Sequence, residues 1–314
     1  MKYEKYNFYS PINLKLYNLS DIIKYYLDVM ESVDPYTRKH SENVANLVCR
    51  ICEYMNYKKY FTVFATTCAY VHDIGKISIP KEILQKSEKL NDEEEKIFES
   101  HTTKGYDICN NDPRLRQYED AVLYHHENLD GTGYPAGITK KDIPIVAQII
   151  RVADQYDLLV TKRKYQTHVN ITATLEDMLE DAKPFTETTK FRALNTMVKD
   201  SKVGIISEKI LKALFKVVID DTLYEITGLH EYQKALKEKL KRLDLLESYN
   251  KKMSEAKSEK QAEYYKEGMM LLLHKNETLE NVFDVHKEYI EAYNNAGERI
   301  KKLYEEVKII KSLK

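Results

Sequence analysis

The sequence predicts an all-α protein, and three observations carry that expectation. Glycine and proline number only 9 and 7 in 314 residues, too few breakers for a chain rich in sheet. Apolar residues recur at steps of three and four through most of the chain, while no stretch keeps the period-two alternation of a half-buried strand. Capping residues stand ahead of several of these apolar runs.

Taken in order, an irregular lead over residues 1–20 precedes Ser20-Asp21, a cap for a helix from Ile22 to Val33. Asp34-Pro35 restarts the chain into a helix that carries His40, Val44, Leu47 and Ile51 on neighbouring faces. A third helix runs from Phe61 to His72 and ends before Gly75 and Pro80. Asn91, with the acidic turn Asp92 to Glu95, opens a helix expected to reach His101. Tyr118 to His126 is helical up to the Asp130-Gly131 turn, and Ile143 to Val160 is the most apolar helix, interrupted by Asp154. Helices are also expected over Thr172–Asp181 and Ser207–Ile219.

Beyond residue 222 the composition changes. Leu229, Tyr232, Leu236, Leu243 and Leu246 keep a heptad-like spacing among Lys and Glu. After a break near Gly268 to Asn276, Leu279, Val282, His286, Tyr289, Tyr293, Ala296, Ile300, Leu303, Val307 and Ile310 alternate steps of three and four. This is an a/d seam, satisfied either by an antiparallel helical hairpin or by a seam shared between two subunits. A domain over 21–219 and a helical extension over 222–314 follow, with the extension expected to mediate a homodimer. His274 and His286, isolated on helices, are expected to be structural or solvated.

Bulk properties exclude several classes. The net charge of −1, with 32% charged and 43% hydrophobic residues, gives no broad electrostatic case for duplex nucleic acid or an anionic membrane. No apolar run approaches the roughly 18 residues of a membrane span, and the start lacks a signal core. Cys49, Cys52, Cys68 and Cys109 suit a reducing compartment, so a cytoplasmic protein is expected. Cys49 and Cys52 fall within an apolar helical pattern and lack a second pair to complete a zinc site, which points to core packing.

The chemistry gathers in one stretch. His40, His72, His101, His125 and His126 account for five of nine histidines, and they lead to Asp154 on an apolar helix. Neutral imidazoles and carboxylates hold borderline divalent metals, and a carboxylate on an apolar helix is costly to bury without ionic partners. At a helix end both His72 and Asp73 can reach one centre, with the carboxylate bridging two cations. Lys76 returns to the His72 face if the helical turn persists, and its ammonium can neutralise a phosphate oxygen. So many N/O ligands exceed the four of a tetrahedral zinc site, so two or more ions are expected, an arrangement suited to phosphoryl chemistry. With no thiolate candidates, iron or manganese is favoured and zinc is the alternative.

The stretches Asp34-Pro35-Tyr36-Thr37-Arg38-Lys39-His40-Ser41, His72-Asp73-Ile74-Gly75-Lys76, His101-Thr102-Thr103-Lys104-Gly105, His125 to Pro135 (His-His-Glu-Asn-Leu-Asp-Gly-Thr-Gly-Tyr-Pro) and Val152-Ala153-Asp154-Gln155-Tyr156-Asp157 occur in this order. In them the chain resembles the HD-GYP family, the divergent branch of the HD phosphohydrolases, over about residues 30 to 165. The resemblance implies an HD-type helical bundle that hydrolyses cyclic dinucleotides, chiefly cyclic di-GMP, to the linear dinucleotide and in some members to GMP. It also implies metal ligation by His40, His72, Asp73, His101, His125, His126 and Asp154, with Lys76 on the scissile phosphate. Gly131, Gly133, Tyr134 and Pro135 would then shape a loop beside the substrate, and Tyr134 would offer a face to a base.

Two departures from the family pattern stand out. Family members holding three metals tend to carry Glu four residues before the first histidine; this chain has Tyr36, so two metals are expected. Where members often show Arg-Pro-Tyr-Arg or Arg-Pro-Tyr-Lys, this chain reads Arg163-Lys164-Tyr165-Gln166. Arg163 keeps one phosphate contact, and Gln166 lacks the second charge. The same residues would also serve a cyclic dinucleotide sensor signalling through the C-terminal helices. A phosphohydrolase of another nucleotide is the third reading, which the Gly-Tyr-Pro loop disfavours.

Overall fold

The computed structural model describes residues 19–86, 88–161, 184–274 and 277–313, and its regular elements there are α-helices and short 3-10 turns. The chain divides into two compact units, Met1–Val218 with Ile310–Lys314, and Ile219–Ile309.

In the first unit, α1 spans Asp21–Val33 and α2 spans Pro35–Tyr54. The Asp34 carboxylate accepts from the Tyr36 and Thr37 amides, and Pro35 takes the first turn, where a missing N–H costs nothing. Next come α3 (Lys59–Val71), a 3-10 turn (Ile74–Ser78) and the short α4 (Lys81–Leu84). Asn91 and Glu94 form a reciprocal capping box at the start of α5 (Asp92–Glu99). The helix expected to run on to His101 instead breaks at Ser100, and α6 (His101–Asn111) begins with the histidine itself. α7 (Glu119–Tyr124) follows a 3-10 turn, and α8 (Ile145–Val160) and α9 (Thr189–Lys202) complete the set before α10. The helix expected over Thr172–Asp181 lies outside the described residues.

α2 and α3 pack face to face, and α8 lies against α2. Val44, Val48 and Ile51 of α2, Ala65, Cys68 and Ala69 of α3, and Ile149, Ile150 and Ala153 of α8 are all shielded from solvent. A buried Ile or Val contributes roughly 1.5–3 kcal/mol relative to leaving it exposed. Cys49 and Cys52 belong to this core as free thiols, and burial pushes Cys52 up to about 12, far from a reactive thiolate.

α10 runs without interruption from Glu208 to Ser254 rather than stopping near Ile219. The compositional change at residue 222 alters which residues face a core; it supplies no breaker, since Gly228 alone is tolerated in a helix at about 1 kcal/mol. In the second unit α10 is followed by α11 (Glu259–Leu272) and α12 (Leu279–Ser312). Contacts between α10 and α12 run in opposite senses: Glu225 with Arg299, Gln233 with Tyr293, and Asp244 with His286. The seam is thus an antiparallel hairpin closed within one chain. Leu243, Leu246, Met269 and Val282 form one buried cluster, and Ile226, Ile300 and Leu303 another. Arg242 locks the α11–α12 connection by a two-pronged pair with Glu277. His286 is buried with its Nε2 2.8 Å from Asp244 and its Nδ1 3.1 Å from Glu247, the structural role expected for it. His274 is exposed beside Glu277.

Candidate metal centre

Three histidines are placed by one local device. The Nδ1–H of His72 donates to Ala69 O, that of His101 to Phe98 O, and that of His125 to Val122 O, each at 2.7 Å and three residues back. A carbonyl only accepts, so each Nδ1 carries the proton and each Nε2 keeps its lone pair. His72 and His125 follow the last turns of α3 and α7, while His101 opens α6. Helix ends therefore aim all three Nε2 atoms inward.

His40 and Asp154 arrive from the packed pair α2 and α8. His40 Nε2 lies 3.0 Å from Asp154 Oδ1, and His40 Nδ1 donates to Asp157 Oδ2 at 2.7 Å. Asn43 Nδ2 and the Thr161 hydroxyl donate to the other Asp157 oxygen at 3.0 and 3.2 Å. Asp157 stands three residues after Asp154, and Asn43 three after His40, so both pairs share a helix face. Neither Asp157 nor Asn43 was among the expected site residues. The i,i+3 spacing to a candidate ligand was the available signal.

Asp73 is at the centre. Its Oδ2 lies 3.4 Å from His72 Nε2 and 3.7 Å from His40 Nε2, and its Oδ1 lies 3.5 Å from His101 Nε2 and 3.9 Å from His125 Nε2. The two oxygens of one carboxylate thus face two groups, His40 with His72, and His101 with His125 and His126. His126 is 14% exposed, its Nδ1 is 3.9 Å from Asp154 Oδ2, and the Tyr134 ring stacks on it at 4.8 Å.

The polar accounting fits metal ions. Among the described residues the buried atoms His72 Nε2, Asp73 Oδ1 and Asp154 Oδ2 have no hydrogen-bond partner, each an expensive omission unless something else satisfies it. His101 Nε2 and His125 Nε2 lie 3.3 Å apart although neither has a proton to give the other. Two opposed lone pairs at that distance suit a shared Lewis acid. The donors are all imidazole nitrogens and carboxylate oxygens, suited to a borderline divalent ion.

Charge is arranged to match. Burial pulls the His72, His101, His125 and His126 imidazoles down, His101 to about 4, so they stand neutral and ready to ligate. Burial opposes ionisation of Asp73, but Lys76 and then His72 and His101 outweigh it and hold the carboxyl well below its usual range. Burial opposes ionisation of Asp154 too, and His40 leads the groups that overcome it. Burial also lowers His40, yet the hydrogen bonds to Asp154 and Asp157 lift it to about 9.

Lys76 departs from the expected geometry. The chain leaves α3 for a 3-10 turn, which places residue i+3 over residue i. Lys76 therefore sits over Asp73, Nζ to Oδ2 2.5 Å, rather than on the His72 face.

The loop after His126 folds around Glu127, which is buried and accepts from the Ala136 and Gly137 amides at 2.7 and 3.1 Å. Gly131 has φ +86°, and a Cβ on Gly133 would meet Asn128 N at 2.3 Å and His126 O at 2.5 Å. Only glycine fits that approach. Tyr134 is half-buried and Pro135 is exposed at the loop's outer edge. Arg163, with Lys164 and Gln166, lies outside the described residues.

A helical bundle that gathers buried His and Asp into a two-part group able to hold divalent metal defines a class of metal-binding helical domains, and sequence comparison agrees. The family model described as HD domain matches residues 24–186, more than half the chain. The chain belongs to the HD domain family, in its HD-GYP branch. It is 39% identical over 146 residues to a cyclic di-GMP phosphodiesterase of Thermotoga maritima, covering 45% of this chain and 40% of that protein. It is 30% identical over 163 residues to 3'3'-cGAMP-specific phosphodiesterase 3 of Vibrio cholerae, covering 52% of this chain and 35% of that protein. The chain thus spans less than half the length of these curated relatives. A solved HDG"Y"P protein from Bdellovibrio bacteriovorus aligns with a TM-score of 0.46 and 19% identity over 67% of this chain and 65% of that one.

Proposed function

We propose that this chain is a metal-dependent phosphodiesterase that hydrolyses a cyclic dinucleotide, cyclic di-GMP or a related 3',3'-cyclic dinucleotide, to the linear dinucleotide. The observation that carries this reading is Asp73, whose two oxygens face two separate imidazole groups as a carboxylate shared by two ions would. The relatives named for cyclic di-GMP and 3'3'-cGAMP support the substrate class.

His40, His72, Asp73 and Asp154 would hold one divalent ion, and Asp73, His101, His125 and His126 the other. When bound, such ions supply charge stabilisation and an activated water for in-line attack on a phosphodiester. The all N/O donor set supports iron or manganese, with zinc as the alternative. Two ions rather than three is supported by Tyr36, whose ring lies parallel to the His40 imidazole, 6.0 Å between centroids, and offers no carboxylate. Lys76, oriented by Asp73, neutralises the scissile phosphate. The loop from Gly131 to Pro135 borders the substrate, with Tyr134 offering the ring face turned away from His126 to a base. Arg163, which lies outside the described residues, is the further phosphate contact that the family pattern supports.

Metal-replete protein, prepared anaerobically with iron or with manganese, should convert cyclic di-GMP or cyclic GMP-AMP to linear product on chromatography. His72→Ala and Asp73→Ala should each lose metal and turnover together. Absence of linear product with both metals would overturn the reading, and tight binding without turnover would favour a sensor.

The same reading includes a cytoplasmic location, supported by four buried free thiols. No described helix is long and apolar enough to cross a membrane. It also includes a homodimer through the C-terminal helices, which would have to use side chains outside the filled seam, such as the exposed Tyr264 and Leu271.

A further inference from the structure

A cyclic dinucleotide carries two phosphodiesters, and while one is attacked the other is a second anion to be held uncut. Lys76 is committed to Asp73 and to the bond under attack. Arg151 is differently placed. It interrupts the apolar helix α8 between Ile150 and Val152, three residues before Asp154 and so on the same side of the helix. Its Nε donates to Asn128 Oδ1 at 3.2 Å, two residues beyond the metal-ligand candidate His126.

The side chain is half-buried, yet among the described residues no carboxylate pairs with it, and its two terminal nitrogens make no hydrogen bond. A guanidinium withdrawn from water ordinarily meets an anion. A neutral amide fixes the plane of this fork and leaves its charge without a carboxylate partner among the described residues. The hydrogen bond to Asn128 ties the guanidinium to the loop that follows His126, so it belongs to the wall of the centre that the loop forms.

We propose that Arg151, positioned by Asn128, binds the non-scissile phosphate of the cyclic dinucleotide through its two terminal nitrogens. A planar pair of parallel donors matches two phosphate oxygens, which a lysine ammonium does not. The inference rests on the phosphodiesterase reading above and adds a residue that sets substrate class, since a ligand with one phosphate has nothing to place there.

The test compares manganese-loaded wild type with Arg151→Ala, Arg151→Lys and Asn128→Ala. Cyclic di-GMP, with two phosphates, is assayed beside bis(p-nitrophenyl) phosphate, with one. Arg151→Ala should raise KM for cyclic di-GMP by about ten- to a hundredfold, the size of a lost charge-assisted contact. Its kcat should stay within about threefold, because the metal centre itself is untouched. The KM penalty should be at least tenfold smaller for bis(p-nitrophenyl) phosphate. Arg151→Lys should fall between, and Asn128→Ala should shift KM in the same direction by less. Metal content read by mass spectrometry shows that each variant keeps its centre; if Arg151→Ala does not, the Lys and Asn128 variants carry the measurement. An unchanged KM for cyclic di-GMP, or equal penalties on both substrates, would overturn the inference while an active wild type leaves the phosphodiesterase reading standing. A wild type that makes no linear product overturns that reading, and this inference with it.

Discussion

His40 is held on both ring nitrogens by carboxylates, whereas His72, His101 and His125 lean on carbonyls. The charged partner Asp157 raises the basicity of the ring, and Asn43 and Thr161 hold Asp157 in place. Asp157→Ala should therefore weaken metal binding by roughly ten- to a hundredfold, as loss of a partner behind a ligand does elsewhere. Titration against a competing chelator reads this, and an affinity within twofold of wild type would refute it. The titration shifts also set how the metal-free protein responds to pH. His101 falls from 6.5 to about 4 on folding, so between those values the unfolded chain binds more protons and stability is lost as pH drops. The depressed Asp73 and Asp154 extend that loss further into acid. His40 rises from 6.5 to about 9, so its contribution is present below 6.5 and is lost as pH climbs through 9. The metal-free protein should have its highest Tm near pH 6.5, with a fall on either side in thermal scans; a Tm that rises steadily from pH 6.5 to 9 contradicts the His40 assignment. The seven metal-ligand candidates were legible because their types and order are unusual together. Asp157 was within reach by its spacing from Asp154, but its role depends on α2 lying against α8.

Helix ends do much of the placing. His72 and His125 follow helix C-termini and His101 begins a helix, so each imidazole finds a carbonyl one turn back without tertiary help. The α1 and α8 helices begin and end within two residues of the expected positions because their apolar runs mark them, although Ser20 makes no side-chain capping bond. The break at Ser100 and the 3-10 turn after His72 carried no such marks, and the second of these moved Lys76 from His72 to Asp73. The loop from Glu127 to Gly137 depends on a backbone approach that only glycine permits. Gly133→Ala should force that backbone apart, costing roughly 1–3 kcal/mol as overpacking does, and should loosen the His101, His125 and His126 group. Urea unfolding and metal content together measure this; a variant unchanged in both would show that the loop can absorb a Cβ.

At the level of the whole molecule, the C-terminal heptads are spent within the chain. Val282, Ala296, Ile300 and Leu303 are buried, and the partners Leu243, Leu246 and Ile226 come from α10. Periodicity showed that a seam exists but could not say whose helix fills it, since an a/d pattern looks the same to a partner in the same chain or in another. A homodimer therefore needs a surface apart from this seam. Light scattering of the 314-residue chain should give twice the chain mass; a single-chain mass across micromolar concentrations would remove the dimer from the proposal.

By itself the sequence determined that the chain is helical, that seven His and Asp residues are candidate ligands of one metal centre, and that these follow the HD-GYP order. Each of these is written in residue type and short-range spacing. Only the tertiary structure decided that Asp73 faces two groups at once, that Asp157 backs His40, and that Arg151 keeps two donors without a partner among the described residues. Those facts are distances between residues up to 117 positions apart, set by how α2, α3, α7 and α8 pack, and no local pattern encodes them.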